Sequence, residues 1–152
     1  MAEGDVLHAR HTLEYPYSRS VGPVIGAFLT ALREGRFLGA TGSGGRVIVP
    51  PTEYDPTTGD DTGKMVEVGP GGVVESWAWV ARPQPKHPLQ TPFAWALIRL
   101  DGADTALLHV VDAGSPDALA TGDRVTARFR PEADRVGSMA DIEAFVPVGG
   151  AS

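Results

Sequence analysis

RFLGATGSGGRVIVPPTEYDPTTGDD, Arg36–Asp61, is the stretch on which the reading of the fold turns. Two turn-rich segments, Thr41–Gly45 and Thr52–Asp61, flank an apolar strand, Val47–Val49, that ends in Pro50-Pro51. That is the layout of a small metal-binding knuckle, which is normally closed by four thiolates. The chain contains no cysteine, so something else must hold the segment together. The glycines Gly39, Gly42, Gly44 and Gly45 do not make a phosphate loop. Such a loop is followed by Lys-Ser/Thr and a helix start, whereas Arg46-Val47-Ile48-Val49 reads as a strand. Ser43 does not sit in a nucleophile elbow either, because Thr41 occupies the place of the first glycine. Glu53, Asp55, Asp60 and Asp61 lack the spacing of a calcium loop and read as a solvated turn.

On the N-terminal side, Val21, Val24, Ile25, Phe28, Leu29 and Leu32 fall at helical spacing and make one apolar stripe. Ser20 and Gly22 are N-cap candidates, Pro23 suits the first turn, and Gly35 fits the position just past the end. The stripe can be buried on the protein's own sheet or on a partner subunit. Met1–Ser18 is polar and aperiodic and reads as a loosely held arm, with Tyr15 and Tyr17 able to pack on a neighbouring surface while their hydroxyls stay wet. His8 and His11 lack companions to complete a metal site.

On the C-terminal side the period changes to two. Val66 and Val68 alternate with charged neighbours, and Gly69–Gly72 turns the chain. Val73–Ala81 then alternates, with Val73, Glu75, Trp77 and Trp79 on one face and Val74, Ser76, Ala78 and Val80 on the other. Phe93–Leu100 is a strongly apolar strand. Asp101-Gly102 marks a turn before Thr105–Val111. Ser115–Ala120 suits a short helical turn. Arg124–Arg130 alternates with Val125, Ala127 and Phe129 inward, Ile142–Val148 is the last strand, and Gly149–Ser152 reads as a frayed end. Five principal strands with glycine-rich turns predict a small antiparallel barrel of OB type, since closure removes exposed edges.

Composition sets the outer bounds. At 152 residues, the chain is sized for one domain or a small core with an appendage. Its 19 glycines and 13 prolines favour short strands and turns. A formal charge of −6 argues against a protein built to neutralise a phosphate backbone. No signal-peptide core or membrane-length apolar run is present, which predicts a soluble, cytoplasmic protein with no membrane association.

Taken together, FLTALREGRFLG (28–39), VIVPP (47–51), GGVVESWAWV (71–80), PFAWALIRLDG (92–102) and ATGDRVTARF (120–129) resemble, in order and spacing, a zinc-ribbon-plus-OB-fold family. This is the domain of unknown function thirty-five, associated with acyl-CoA metabolism. The resemblance covers roughly residues 20–147. It implies a mainly β fold: a five-stranded OB-fold barrel (64–149), preceded by an N-terminal arm and amphipathic helix (1–35) and a degenerate, metal-free, rubredoxin-like zinc-ribbon segment (36–63). In relatives, paired cysteines bracket the Pro-Pro strand. Here Thr41 and Gly44 stand at the first pair and Tyr54 and Thr57 near the second, and none supplies a thiolate. Turn hydrogen bonds from Asp55, Thr57 and Asp60, with packing by Tyr54, Phe37 and the Val47/Val49 strand, are expected to replace the metal.

The same resemblance implies a non-catalytic accessory subunit of a thiolase-superfamily enzyme, of thiolase or steroid side-chain aldolase (lipid-transfer-protein-like) type. Such a subunit docks on its partner in a hetero-oligomer and helps form or close the acyl-CoA site. The coenzyme A thioester is then held at the shared site, with no cofactor bound by this chain alone. Tyr15, Tyr17, Val24, Phe28 and Leu32 are the candidate interface residues. Arg82, Lys86 and His87, in the proline-rich loop between the first two barrel strands, are candidates for the coenzyme A phosphates. The alternative for that loop is a solvated connection stiffened by prolines. Trp77 and Trp79 share a face and fit the core better than an interface, and His109, mid-strand among apolar residues, fits a structural role. Two other functions remain open from sequence. One is an OB-fold single-stranded nucleic-acid-binding protein; the other is a free-standing acyl-CoA hydratase or esterase.

Overall fold

A computed structural model describes residues 4 and 6–149. Parts of the predicted arm (residues 1–3 and 5) and of the predicted frayed end (150–152) lie outside the described residues. Residues 6–22 form no helix or strand. The helix α1 spans Pro23–Arg33, with Pro23 at its first position and Gly22 as N-cap. Glycine has no side chain to offer the first N–H groups. Glu53, 29 residues downstream of Val24, takes over: its carboxylate accepts from Val24 N at 3.0 Å and from Ile25 N at 3.1 Å. A carboxylate there also meets the positive end of the helix dipole. The helix closes with Gly35 at φ 73°. Gly35 N donates to Leu32 O and Arg36 N to Ala31 O, the paired bonds of a Schellman end. Replacing Glu53 with alanine is expected to cost about 1–2 kcal/mol, the worth of an N-cap, read as a lower urea midpoint with the barrel fold kept.

The apolar stripe is used internally. Phe28, Ala31 and Leu32 are buried, and the helix packs on the strand β1 (Phe37–Thr41). β1 is the centre of a three-stranded antiparallel sheet between β2 (Val47–Ile48) and β3 (Met65–Val68). Phe37 pairs with Val68 and Ala40 with Ile48. Gly39 is required in this sheet: a Cβ there would come within 2.6 Å of the Val47 side chain and 3.0 Å of the Val49 side chain. The outer edge of β2 is covered by the loop after the second barrel strand. Val47 N donates to Asp104 Oδ2 and Asp104 N to Val47 O, while Thr105 Oγ1 bonds both Val49 N and Val49 O at 2.7 and 2.8 Å. These four bonds satisfy an edge that would otherwise be open to pairing. They also fasten the small sheet to the barrel.

The barrel is closed, in the order β4-β5-β6-β8-β7. Its strands are β4 (Gly71–Val80), β5 (Phe93–Leu100), β6 (Leu107–Val111), β7 (Arg124–Phe129) and β8 (Ile142–Pro147). The five principal strands read from the sequence are all present, and the short turn before β7 is a 3-10 turn at Pro116–Ala118. Met65–Val68 belongs to the small sheet through β1 rather than to the barrel.

The expected facing of β4 needs correction. A bulge between Val74 and Ser76 shifts the register, so Val74 before it and Trp77 and Trp79 after it pack on the same core. An extra residue flips the alternation, and uninterrupted periodicity in the sequence hides it. The core runs without a break from Phe28, Leu32 and Phe37 to Val74, Ile98, Leu107, Val125 and Phe145. Helix, small sheet and barrel therefore share one interior. No helix among the described residues is long and apolar enough to cross a membrane.

Candidate functional site

The knuckle is organised around Asp55, which is 2% exposed. Its Oδ2 accepts from Ser43 N in the first turn and its Oδ1 from Thr57 N in the second, both at 2.8 Å. Hydrogen bonds from the Thr57 and Ser43 amides hold this carboxyl below the usual carboxylate range. One side chain thus joins the two turns. Ser43 Oγ adds bonds to Thr58 Oγ1 and to Asp60, and Arg46 donates to Thr57 Oγ1. The expected contribution of Tyr54 to packing is corrected: Tyr54 is 61% exposed, and it is held through its backbone, by the bridge to Asp61 and by the Thr52 hydroxyl, which donates to its carbonyl. Among the described residues, no group of three or more His, Cys, Asp or Glu side chains is placed to hold a metal.

The candidate phosphate ligands lie in the loop 81–92, between β4 and β5. Arg82 and Lys86 are exposed. His87 is half-buried and shapes the loop: its Nδ1 accepts from Gln84 N at 3.0 Å, and its ring meets Phe93 edge-on at 5.4 Å. One of its two nitrogens is already committed to the loop's own backbone, whereas Arg82 and Lys86 are presented outward. Of the candidate interface residues, Tyr15 and Tyr17 are 75% and 78% exposed. Phe28 and Leu32 are corrected, since both are buried in the chain's own core, and Val24 is half-buried. Leu7 and Leu13 join the tyrosines as large exposed apolar groups on the arm.

The two outward arginines of β7, Arg124 and Arg128, are neutralised. Arg124 makes two bonds to Asp101, and Arg128 spans Asp112 and Glu143. Guanidiniums engaged this way do not form the free cationic groove that single-stranded nucleic acid needs. Arg130 is in no ion pair among the described residues.

Sequence reasoning did not find the cavity between β6 and β8. These strands run parallel and pair at one position, Val111 with Phe145. Beside that pair lies a cavity of about 380 Å³, walled by Leu89 of the 81–92 loop, Trp95, Leu108, Met139 and Ile142, with Arg130 and Glu143 also in the lining. His109 reaches it with 8% of its surface exposed, its ring edge-on to Phe145 at 5.6 Å. Its Nδ1 is buried without a hydrogen-bond partner. Burial holds the imidazole below the ordinary histidine range, although carbonyls of Met139 and Val110 pull the other way. In OB folds, ligands meet the face of the second and third strands and the loops that flank it. β5, β6 and the loops 81–92 and 130–141 occupy those places here.

A closed five-stranded barrel with this strand order, carrying a helix and a small sheet on one side, defines an OB-fold protein with an N-terminal attachment. Residues 65–130 match the family model described as the C-terminal OB-fold domain of ChsH2. Among solved structures, the chain is similar to the Ltp2-ChsH2(DUF35) aldolase. The identity is 21%, covering 86% of this chain and 95% of that chain, with a TM-score of 0.59. It is also similar to a DUF35-family protein of unknown function from Sulfolobus solfataricus. Here the identity is 23% over 70% of this chain and 77% of that one, with a TM-score of 0.58. No curated protein matches the chain. The resemblance read from the sequence is met in the fold, which the chain shares with these two DUF35 structures, and in residues 65–130, which match the ChsH2 C-terminal OB-fold model.

Proposed function

We propose that this chain is a non-catalytic accessory subunit that docks on a thiolase-superfamily enzyme, of thiolase or steroid side-chain aldolase type, and helps to form or close its acyl-CoA site. The observation that carries the proposal is the arm. Leu7, Leu13, Tyr15 and Tyr17 are each more than 60% exposed, on a segment with no helix or strand of its own. A run of large apolar side chains that the chain does not cover itself marks a surface for a partner. The match of the barrel to ChsH2, and the fold shared with the Ltp2-ChsH2(DUF35) aldolase, support the class of partner. In the complex, Arg82 and Lys86 meet the coenzyme A phosphates, and His87 keeps their loop in shape. The arm, not the helix stripe, makes the main contact. The knuckle is a ribbon remnant in which Asp55 does the joining that a metal does in relatives.

Co-expression with a candidate enzyme of the thiolase or lipid-transfer-protein-like aldolase type from the same source tests the docking. The pair is expected to elute as one species at micromolar concentration, and Tyr15→Ala with Tyr17→Ala to split it. Separate elution of the unmodified pair contradicts the reading. Within an intact complex, Arg82→Gln with Lys86→Gln is expected to weaken acyl-CoA binding by about tenfold or more, the loss of charge-assisted contacts to phosphate. Unchanged affinity would remove these two residues from the site while leaving the docking untouched.

A further inference from the structure

We propose that His87 is a proton-operated latch for the loop 81–92: the loop keeps its shape only while the imidazole is neutral, and protonation of the ring in mild acid releases it. The direction of one hydrogen bond carries the proposal. Gln84 N donates to His87 Nδ1 at 3.0 Å. A backbone amide can only donate, so Nδ1 must offer a lone pair, which fixes the neutral tautomer with its proton on Nε2. The imidazolium carries N–H groups on both nitrogens and accepts from neither. Protonation therefore does not merely weaken the bond; it sets a donor against a donor. Histidine is the one side chain whose ordinary titration falls between pH 5 and 8.

The bond lies where the loop is closed and where it meets the barrel. His87 N donates back to Gln84 O at 2.9 Å, so the two residues hold each other reciprocally. Gln90 Nε2 donates to His87 O at 3.0 Å and ties the second half of the loop to the same residue. The imidazole is seated edge-on against Phe93, which is fully buried at the start of β5. Pro83, Pro85 and Pro88 stiffen the chain between these bonds, but they have no N–H and cannot replace the lost contact. The charged groups of the loop are Arg82 and Lys86, both exposed cations. Phe93 and Trp95, on the strand that the loop leads into, carry no charge. Among the described residues, His87 is in no ion pair. No anion is therefore at hand to keep the charged ring in its seat. Half-buried, the ring has a way out to water, and the loop that presents Arg82 and Lys86 loses its fixed arrangement when it leaves.

The latch uses residues of this chain only and does not rest on the partner-subunit reading, so the test uses the full chain by itself. The His87 ring nitrogens, the Gln84 amide and the Phe93 ring are followed by NMR from pH 8 to pH 5. At pH 8 the His87 proton is expected on Nε2. As the ring titrates, the Gln84 amide should shift in step with it and lose about fivefold or more of its protection from hydrogen exchange, after correction for the intrinsic pH dependence of exchange. The Phe93 ring resonances should move over the same range. Two variants separate the acceptor from the packing. His87→Asn supplies a side-chain oxygen that accepts and does not titrate, so the Gln84 amide should stay protected from pH 8 to pH 5. His87→Phe keeps an aromatic ring against Phe93 but has no acceptor, and its Gln84 amide should exchange at the low-pH rate throughout. A Gln84 amide and a Phe93 ring that stay unchanged while His87 titrates would overturn the proposal. So would a proton on Nδ1 at pH 8, or a Gln84 amide as well protected in His87→Phe as in the parent.

Discussion

Phe37→Ala is expected to destabilise the whole protein by about 3–5 kcal/mol, the cost of emptying a large aromatic site in a packed core. Phe37 is 1% exposed, and its ring lies 5.3 Å from that of Phe129 and 6.0 Å from that of Phe145. It opens β1, the central strand of the small sheet, yet its ring packs on two barrel strands. The residue is thus the joint between the two sheets. Small domains are stable by only about 5–15 kcal/mol, so this loss would be a large fraction of the total. Urea unfolding checks it: one cooperative transition should move to a much lower midpoint. If barrel tryptophan fluorescence kept its original midpoint while only the helix signal was lost, the small sheet would be an independent appendage and the single interior would be wrong.

Asp141→Ala is the second large effect. The side chain is fully buried at the end of the 130–141 loop. Its carboxylate accepts from Val136 N at 2.9 Å, Gly137 N at 2.7 Å and Ser138 N at 3.2 Å. Ser138 answers with a capping box over the turn Met139–Asp141. Alanine would release three part-buried donors and undo the organisation of the loop; with about 1 kcal/mol for each hydrogen bond lost and water able to replace some of them, an overall loss of about 2 kcal/mol or more is expected.

The pH dependence carries a second signature of the same group. Burial pushes the Asp141 carboxyl up, but the three amide donors outweigh it and hold its pKa below the usual carboxylate value. A carboxyl depressed in the folded state binds its proton more readily when unfolded. Its contribution is therefore complete above the unfolded value, about 3.9, and is lost as pH falls through the lower folded value. The variant should show a shallower loss of stability in acid than the parent, with Asp55 and Asp101, also depressed, accounting for what remains. An unchanged acid limb would mean that Asp141 is not the carboxyl that organises the loop.

The sequence signals that proved readable are local ones. The helix is bounded by Pro23 and Gly35 and carried by a stripe at 3.6-residue spacing, all within one stretch of chain. The strands of the barrel are short alternating or apolar runs separated by turn residues. The signals that were missed depend on pairing at a distance. Nothing near Gly22 announces that its cap is Glu53. Nothing in GGVVESWAWV shows that Glu75 is the extra residue that brings Val74 and Trp77 to one side. Phe28 and Leu32 make a stripe that suits a partner as well as it suits β1, and only packing shows which.

The proline-rich loop 81–92 lies between the first two barrel strands, as its sequence indicates, and His87 is bound within it. Asp55 was expected to tie the turns of the knuckle and does so, from both sides. The cavity was out of reach for the same reason as the cap. Its lining comes from β5, β6, β8 and two loops, and His109 reads in sequence as one polar residue in an apolar strand.

The central claim is that this chain completes the acyl-CoA site of a thiolase-like partner. The most direct measurement is the turnover of an acyl-CoA substrate by the purified partner, titrated with this chain. The account predicts low activity for the partner alone, a rise that saturates at a fixed stoichiometric ratio, and no activity for this chain by itself. A partner that is fully active alone and unaffected by the titration would contradict it.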